Sequence, residues 1–370
     1  MERRTLFRLL LSALAARLGV PRLAAQSKPP RKVVILTIAG VRRQETFSKE
    51  GLVNIPKLAL EMMPRSLFYP YVLNEGVTSH FNTLASILSG SWQRLDDWGR
   101  QPPGRPTLFD YLQKQTRVDA AATWVVSSNK QVTTNLCPAA NVILTKQLLI
   151  EAIERIILGH SGAKQLGRQA VLDEVTSLLR NDIDEIGGGL ATPSLIHNAE
   201  FRQTLLSGIT NFLNGPAAPA TGDELTFFVA CEVLRKAAPS VLMINFSDVE
   251  VAHNGAYSLH VAGIQRNDGL CSRLWQVLQS EPEYHGRTTL VILPEFGRDP
   301  DGSSTNGFFN HRTNTDSCRL TWMMVLGDAV KKPDVVERTV RQIDLIPTLG
   351  TLLGVDCEQA DGQRLGEFSA

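Results

Sequence analysis

The feature that most constrains the fold is the run Lys32–Ile38, which is aliphatic or β-branched at almost every position. A strand with one solvated face alternates polar and apolar residues, so an uninterrupted run indicates a strand that is buried on both faces. Similar segments lie at 118–126, 240–246, 288–293 and 321–326. Helical periods separate them, at 56–63, 83–88, 107–115, 257–278 and 342–353. Strands that alternate with helices predict an α/β fold, with a mostly parallel central sheet and helices on both faces.

The stretch from 144 to 234 differs from the rest of the chain, because its helical periods follow one another without strand-like segments between them. These periods lie at 148–158, 169–179 and 200–213. Strand-like segments resume after this stretch, which indicates an insertion and not an independent domain. We therefore expect one α/β domain at residues 32–357, with a helical insertion at about 144–234 and a C-terminal tail at 358–370.

The first 25 residues are organised like an export signal. Arg3 and Arg4 precede a short apolar stretch, residues 9–20, and small residues follow it. The paired arginines, together with an apolar stretch that Arg17 interrupts, resemble a twin-arginine signal. The alternative is a basic amphipathic helix that stays on the protein. We predict export to the periplasm or the extracellular space, with residues 26–31 as a tether.

The composition excludes several function classes. The 370 residues include 38 basic and 37 acidic side chains, a balance that does not fit a protein that coats nucleic acid. No apolar run reaches the roughly 20 residues that a membrane span needs. The five cysteines form no Cys-x-x-Cys pair, which argues against a zinc ribbon or a thioredoxin-like centre. We expect most of them to be buried as small apolar residues.

Polar residues follow several of the predicted strands, and ligand sites of parallel α/β sheets lie at the carboxyl ends of the strands. The first strand is followed by Ala-Gly-Val-Arg at 39–42, the third by Ser-Asp-Val-Glu-Val-Ala-His at 247–253, and the fourth by Glu-Phe-Gly-Arg at 295–298. Thr-Ser-His-Phe at 78–81 precedes a helix, and Asn-His-Arg at 310–312 precedes the last strand. These segments contain the candidate site residues.

The order of these motifs resembles that of the alkaline phosphatase superfamily, which includes sulfatases and phosphodiesterases. The resemblance covers residues 33–355, and an Asn-x-Pro-x-Leu segment at 54–58 and an Asp-x-x-Pro-Thr-Leu segment at 344–349 support it. Ser-His-Phe at 79–81 and Glu-Phe-Gly-Arg at 295–298 are similar to motifs of a poorly characterised branch of exported bacterial proteins. The resemblance implies an alkaline-phosphatase-like fold and a metal-dependent hydrolase of small or polymeric phosphate or sulfate esters.

The chain departs from the family pattern at one of the two metal positions. Ala39 stands where the family has an aspartate at the end of the first strand, and Phe296 stands where it has a histidine. Neither side chain can bind a metal ion. Two losses at one position indicate that one metal centre is missing as a unit.

The other metal position retains candidate ligands. Asp248, His253 and His311 match the family's Asp-x-x-x-His and later His, although the first spacing is one residue longer than the pattern. Glu295 is a candidate substitute carboxylate, or else it pairs with Arg298 in a structural turn. The resemblance thus implies a site for one divalent ion, with zinc preferred over manganese or calcium. The alternative is that Asp248 caps a loop or helix and the histidines hydrogen-bond within a polar cleft.

His80 stands at the position of the family's nucleophile, with Thr78 and Ser79 directly before it. A histidine at a helix N-terminus can act as a base or nucleophile, or it can be a structural hydrogen-bonding residue. Arg42 is a candidate to bind a sulfate or phosphate oxygen, and its alternative is an exposed, solvated charge. These four residues are the candidate catalytic group.

Two functions remain open at this point. The first is an exported hydrolase with a reduced metal site. The second is a catalytically inactive binding or structural protein that keeps the fold, which the residues at Ala39 and Phe296 favour. A phosphomutase-like transferase is a weaker third alternative, because it would need the ligands that these two positions lack.

Overall fold

The computed structural model describes residues 30–369, except 98, 117, 129–134, 160–195, 197, 214, 216–220 and 303–306. The expected export signal at 1–25, most of the tether and the helical period at 169–179 lie outside the described residues. In the part of the chain that is described, no helix combines the length and the apolar character needed to cross a membrane.

The described residues form a sheet of 9 strands. The strands are β1 (Lys32–Ile38), β2 (Leu67–Leu73), β3 (Thr123–Ser127), β4 (Asn141–Leu144), β5 (Val241–Phe246), β6 (Thr288–Pro294), β7 (Leu320–Gly327), β8 (Asp334–Val335) and β9 (Val340–Arg341). Their order is β4-β3-β5-β1-β6-β7-β2-β8, and β9 also pairs with β2. The neighbours from β4 to β6 are parallel, whereas β7 is antiparallel to both β6 and β2. The predicted mostly parallel α/β fold is confirmed.

The central strands place their carboxyl ends at one edge of the sheet. All residues of β1, β5 and β6 are buried, as their continuous apolar patterns predicted. Ile38 at the end of β1 pairs with Phe246 of β5 and with Pro294 of β6. The segments that follow these three strands therefore begin side by side.

Helices cover both faces of this sheet. They are α1 (His80–Ser89), α2 (Leu108–Thr116), α3 (Thr145–Gly159), α4 (Ala199–Leu213), α5 (Gly222–Ala237), α6 (Tyr257–Ser280), α7 (Asp316–Arg319) and α8 (Leu345–Leu353). Successive strand residues point to opposite faces, so Val33 and Ile35 pack into one apolar cluster and Val34 and Leu36 into another. Residues of α1, α2 and α8 complete the first cluster, and those of α4, α5 and α6 complete the second.

Several segments differ from the sequence prediction. β3 begins at Thr123, later than predicted, because Ala120–Ala122 forms a 3₁₀ turn, and the period at 56–63 contains a π-helical turn at Lys57–Met62. β2 was not predicted. It contains Pro70, which cannot donate to the sheet, and its pairing with β7 shifts register between Tyr69 and Val72.

The described part of the expected insertion, the C-terminal segment and the cysteines all pack into the structure. In the expected insertion, α3 contacts both α4 and α5. In the C-terminal segment, Leu365 and Phe368 are buried against the core. All five cysteines are buried free thiols, as expected for small apolar residues.

Candidate metal centre

Four side chains converge at the carboxyl edge of the sheet: His80, Glu250, His253 and His311. Their candidate ligand atoms all lie within 4.8 Å of one another. Glu250 Oε2 lies 2.8 Å from His253 Nε2 and 3.3 Å from His80 Nε2, and the Nε2 atoms of His253 and His311 are 3.2 Å apart. Ligand bonds of about 2.0–2.1 Å to zinc place tetrahedral donors ~3.3 Å apart. Glu250 Oε2 lies farther, 3.9 Å, from His311 Nε2. Most of these separations are therefore near the spacing that a zinc-like ion needs.

Local helical geometry determines which acidic residue after β5 reaches this cluster. Asp248–Asn254 form a 3₁₀ helix, in which residues three apart lie on the same side. Glu250 and His253 are three apart and face the cluster together. Asp248 faces α5 instead, where its Oδ2 accepts a hydrogen bond of 3.0 Å from the backbone N–H of Asp223. The structure thus places Glu250 in the cluster and Asp248 outside it.

The surroundings of the Glu250 carboxylate indicate whether the cluster can bind a cation. The side chain is 2% exposed, and Oε1 accepts a hydrogen bond from Arg298 Nη2. Oε2 is buried and forms no well-directed hydrogen bond, although imidazole nitrogens of His253 and His80 lie 2.8 and 3.3 Å from it. Burial raises the pKa of Glu250, but Arg298 and His80 outweigh it and hold that pKa well below its ordinary value. A charged, buried oxygen that is approached only by imidazole nitrogens, and is bonded in good geometry by none of them, matches a metal ligand.

His80 lies at the first position of α1, and carboxylates flank both of its ring nitrogens. Nδ1 lies 2.8 Å from Glu295 Oε2, and Glu295 Oε1 accepts a 2.6 Å hydrogen bond from Asn245 Nδ2. Burial lowers the pKa of His80, but the Glu250 and Glu295 carboxylates overcome this and raise it to about 9. Glu295 therefore positions His80, and a cation at Nε2 competes with the proton there.

His311 is oriented by the backbone. Its Nδ1 donates a 2.8 Å hydrogen bond to the carbonyl of Thr78, so the lone pair of Nε2 faces the cluster. Burial lowers the pKa of His311 well below its ordinary value, which favours the neutral, ligating form. The ring of Phe296 stacks on His311 at a centroid distance of 4.3 Å. A buried phenyl ring, and not a second ligand set, thus packs against this side of the cluster.

The other candidate catalytic residues are engaged elsewhere. Arg42 is buried and pairs with Glu45 and Asp301, so it is not the exposed charge of the alternative and its guanidinium is already bound by carboxylates. Ser79 Oγ accepts a 2.8 Å hydrogen bond from Asn82 Nδ2 in the first turn of α1. The structure brings His80, His253 and His311 together, with Glu295 bound to His80.

Sequence reasoning missed Glu250 as a candidate ligand. The signal that could have found it is the Glu-x-x-His spacing of Glu250 and His253, which places both on one side of a 3₁₀ helix. The extra residue between Asp248 and His253 pointed the same way, because it breaks the family spacing. Nothing local in the sequence indicated that His80 and Glu295, which are 215 positions apart, would pair.

No protein-family model and no curated protein matches the sequence. Solved structures do match. A protein of the alkaline phosphatase superfamily from Vibrio parahaemolyticus aligns with a TM-score of 0.55 at 13% identity, covering 93% of this chain and 71% of that one. The phosphonate monoester hydrolase from Silicibacter pomeroyi gives 0.55 at 12% identity, covering 90% and 76%.

The wild-type alkaline phosphatase PafA gives a TM-score of 0.56 at 11% identity, covering 93% of this chain and 100% of that one. Identities this low establish the architecture and leave the chemistry to the site itself. The mostly parallel central sheet of this chain is consistent with that architecture. The protein therefore has the alkaline-phosphatase-like α/β fold that its motif order resembled.

Proposed function

We propose that the protein is a metal-dependent hydrolase of phosphate or sulfate esters that uses one divalent ion. His80 Nε2, Glu250 Oε2, His253 Nε2 and His311 Nε2 would hold the ion, and zinc suits this donor set best. The observation that carries the proposal is Glu250 Oε2, a buried carboxylate oxygen that lies among three imidazoles and has no well-directed hydrogen bond. Structural neighbours named as a phosphatase and a phosphonate monoester hydrolase support the reaction class.

When bound, such an ion supplies Lewis-acid chemistry toward an anionic ester oxygen. The chain's own residues position the donors. Glu295 holds the proton at His80 Nδ1, the carbonyl of Thr78 holds the proton at His311 Nδ1, and Arg298 holds Glu250 Oε1. The side chain of His253 is 26% exposed, so a substrate can approach from that side.

The charges around the cluster favour binding of a divalent cation, and the cluster with its cation would then favour an anionic substrate. Two carboxylates, Glu250 and Glu295, lie beside one guanidinium, Arg298, which gives a net charge of −1 when the imidazoles are neutral. A divalent ion would change this sum to +1. A positive site with one solvent-exposed side suits a phosphate or sulfate ester. The cluster does not favour the alternative of an inactive binding protein.

Metal analysis and titration calorimetry test the proposal. We expect wild-type protein to bind one equivalent of zinc and to hydrolyse 4-nitrophenyl phosphate or sulfate in a chelator-sensitive way. His253→Ala should lose both properties. His285→Ala is the matched control, because His285 is an exposed histidine that bonds to the carbonyl of Gln279. Protein that stays metal-free with zinc, manganese and calcium, and that shows no turnover, would contradict the proposal.

We also propose that the protein is exported through a twin-arginine signal. The support is the paired arginines and the weak apolar stretch that follows them. Arg3→Lys combined with Arg4→Lys should leave the uncleaved precursor in the cytoplasm, whereas Arg17→Lys should be processed normally. Cell fractionation measures both, and normal processing of the double variant would contradict the twin-arginine assignment.

A further inference from the structure

A groove of roughly 600 Å³ adjoins the metal centre. Thr78 and Arg312 contribute to its lining. The carbonyl of Thr78 orients His311, and Arg312 is the next residue along the chain. The groove and the cluster are thus built from neighbouring residues of the same two chain segments.

The groove carries an excess of positive charge. Its lining includes the guanidinium groups of Arg94, Arg312 and Arg319 and one carboxylate, Glu75. Arg94 and Arg312 are exposed, and Arg312 also pairs with the exposed carboxylate of Asp97 at 3.1 Å. Arg319 is held in place by a 2.6 Å hydrogen bond from its Nε to the carbonyl of Asn74. Counting Asp97, three guanidinium groups still exceed two carboxylates. Planar guanidinium groups bind sulfate and phosphate oxygens through paired N–H donors. The groove thus suits a group with negative oxygens.

Trp92 gives the same groove an aromatic surface. A Cβ atom at Gly76 would lie 2.9 Å from Trp92 Cε3, so glycine allows the indole to pack directly on the backbone. Both residues line the groove. A rigid indole beside arginines offers an apolar face for the C–H groups of a ring and charged donors for its substituents.

We propose that this groove binds a second anionic group of the substrate, so that the substrate is a sugar carrying at least two sulfate or phosphate groups. One group would lie at the metal centre, and the other would meet Arg94 and Arg312 while the sugar ring packs on Trp92. The assignment of the first group rests on the proposed function. The charge and the aromatic surface of the groove come from its own residues.

Titration calorimetry with three probes tests this proposal: a disulfated disaccharide, the same disaccharide with phosphate in place of each sulfate, and the same disaccharide with neither group. We expect the charged sugars to bind and the neutral one to bind far more weakly. Arg94→Gln should weaken binding about fivefold, and Arg94→Gln with Arg312→Gln about twentyfold or more, because each loses a charge-assisted contact. Arg65→Gln, an exposed arginine on a different groove, should change nothing. The tighter of the two charged sugars identifies sulfate or phosphate as the preferred group.

Two further measurements separate this proposal from the proposed function. Zinc affinity should be unchanged in Arg94→Gln, which is not among the candidate ligands. Trp92→Leu should weaken binding of the disulfated disaccharide without changing its salt dependence, since it removes ring packing and no charge.

Each outcome decides one of the two proposals. Equal sugar affinities of wild type and the double arginine variant, with zinc binding intact, would overturn the groove assignment and leave the hydrolase standing. Tight binding of the neutral disaccharide, or no binding of either charged sugar, would also overturn it. Arginine-dependent sugar binding by a protein that takes up no zinc would support the groove and contradict the proposed function.

Discussion

Two buried Arg–Glu pairs lie near the carboxyl edge of the sheet, and they differ in how their carboxylates are satisfied. In the first, Arg42 Nε donates to both oxygens of Glu45 at 3.0 Å, and Nη2 also contacts Oε1. In the second, Arg298 Nη2 binds only Oε1 of Glu250, and Oε2 has no well-directed hydrogen bond. We call these the closed pair, Arg42–Glu45, and the open pair, Arg298–Glu250.

Burial does not distinguish the two pairs. The side chains of the closed pair are each 1% exposed, and those of the open pair are 0% and 2% exposed. What differs is the surroundings of the second carboxylate oxygen, which in the open pair faces three imidazole nitrogens. A closed pair neutralises its own charge, whereas an open pair retains a charged acceptor for a cation. The role of a buried ion pair thus depends on which of its atoms remain without a well-directed partner.

The largest expected effect comes from breaking the closed pair. Arg42→Met leaves Glu45 buried without its guanidinium and should lower the free energy of unfolding by about 3–5 kcal/mol. Adding Glu45→Leu removes the stranded charge and should recover most of this loss. Urea denaturation measures both variants. A single variant as stable as wild type would show that the closed pair does not stabilise the fold.

The next effect concerns the open pair and zinc. At zinc concentrations 100-fold above the dissociation constant, linkage should stabilise wild-type protein by about 2.7 kcal/mol. Glu250→Gln should lose most of this gain, because a neutral amide is a poor ligand, whereas Glu45→Gln in the closed pair should keep it. Melting temperatures with and without zinc measure the gain. Equal zinc responses in Glu250→Gln and Glu45→Gln would remove the distinction between the pairs.

A third effect depends on pH and involves the turn that carries Glu250. His260 Nδ1 donates a 2.8 Å hydrogen bond to the carbonyl of Val249. Burial, reinforced by the nearby Arg298 and Arg42 charges, lowers the pKa of His260 to about 4, despite the opposing effect of this hydrogen bond and of Glu250.

Between about pH 4 and pH 6.5, the unfolded chain binds more protons at His260 than the folded chain does. The free energy of unfolding therefore falls as the pH decreases through this range. At pH 5 the loss due to His260 should be about 2 kcal/mol. His260→Phe should remove this part of the pH dependence, whereas the exposed His285→Gln should retain it. Unfolding curves at pH 7 and pH 5 measure the difference, and identical pH dependence in wild type and His260→Phe would refute the assignment.

The smallest expected effect concerns Glu295, which acts through His80 and is a positioning residue. Glu295→Gln keeps the shape of the side chain but removes the charge that holds the proton at His80 Nδ1. Zinc affinity should fall about tenfold, as for other partners of ligating histidines. Glu61→Gln, an exposed carboxylate paired with Lys57, is the control. Calorimetric titration with zinc measures both, and unchanged affinity in Glu295→Gln would contradict this role.

The amino-acid sequence by itself determined the architecture and the edge of the sheet that carries the site. The patterns of β1, β5 and β6 are readable because burial on both faces leaves a continuous apolar run in consecutive residues. The sequence also predicted that His253 and His311 would approach each other, and that Phe296 would replace a ligand. It did not predict β2, in which Pro70 and a shifted register obscure the strand pattern.

Which acidic side chain joins His253 and His311 depends on contacts that form only in the tertiary structure. Asp248 and Glu250 are two positions apart, and the sequence favoured the first by analogy with a family spacing. The 3₁₀ conformation of the turn directs Glu250 toward the cluster, while the backbone N–H of Asp223 in α5 binds Asp248. The direction of a side chain after a strand depends on the winding of its own turn and on partners distant in the chain. Neither leaves a periodic signal in the sequence.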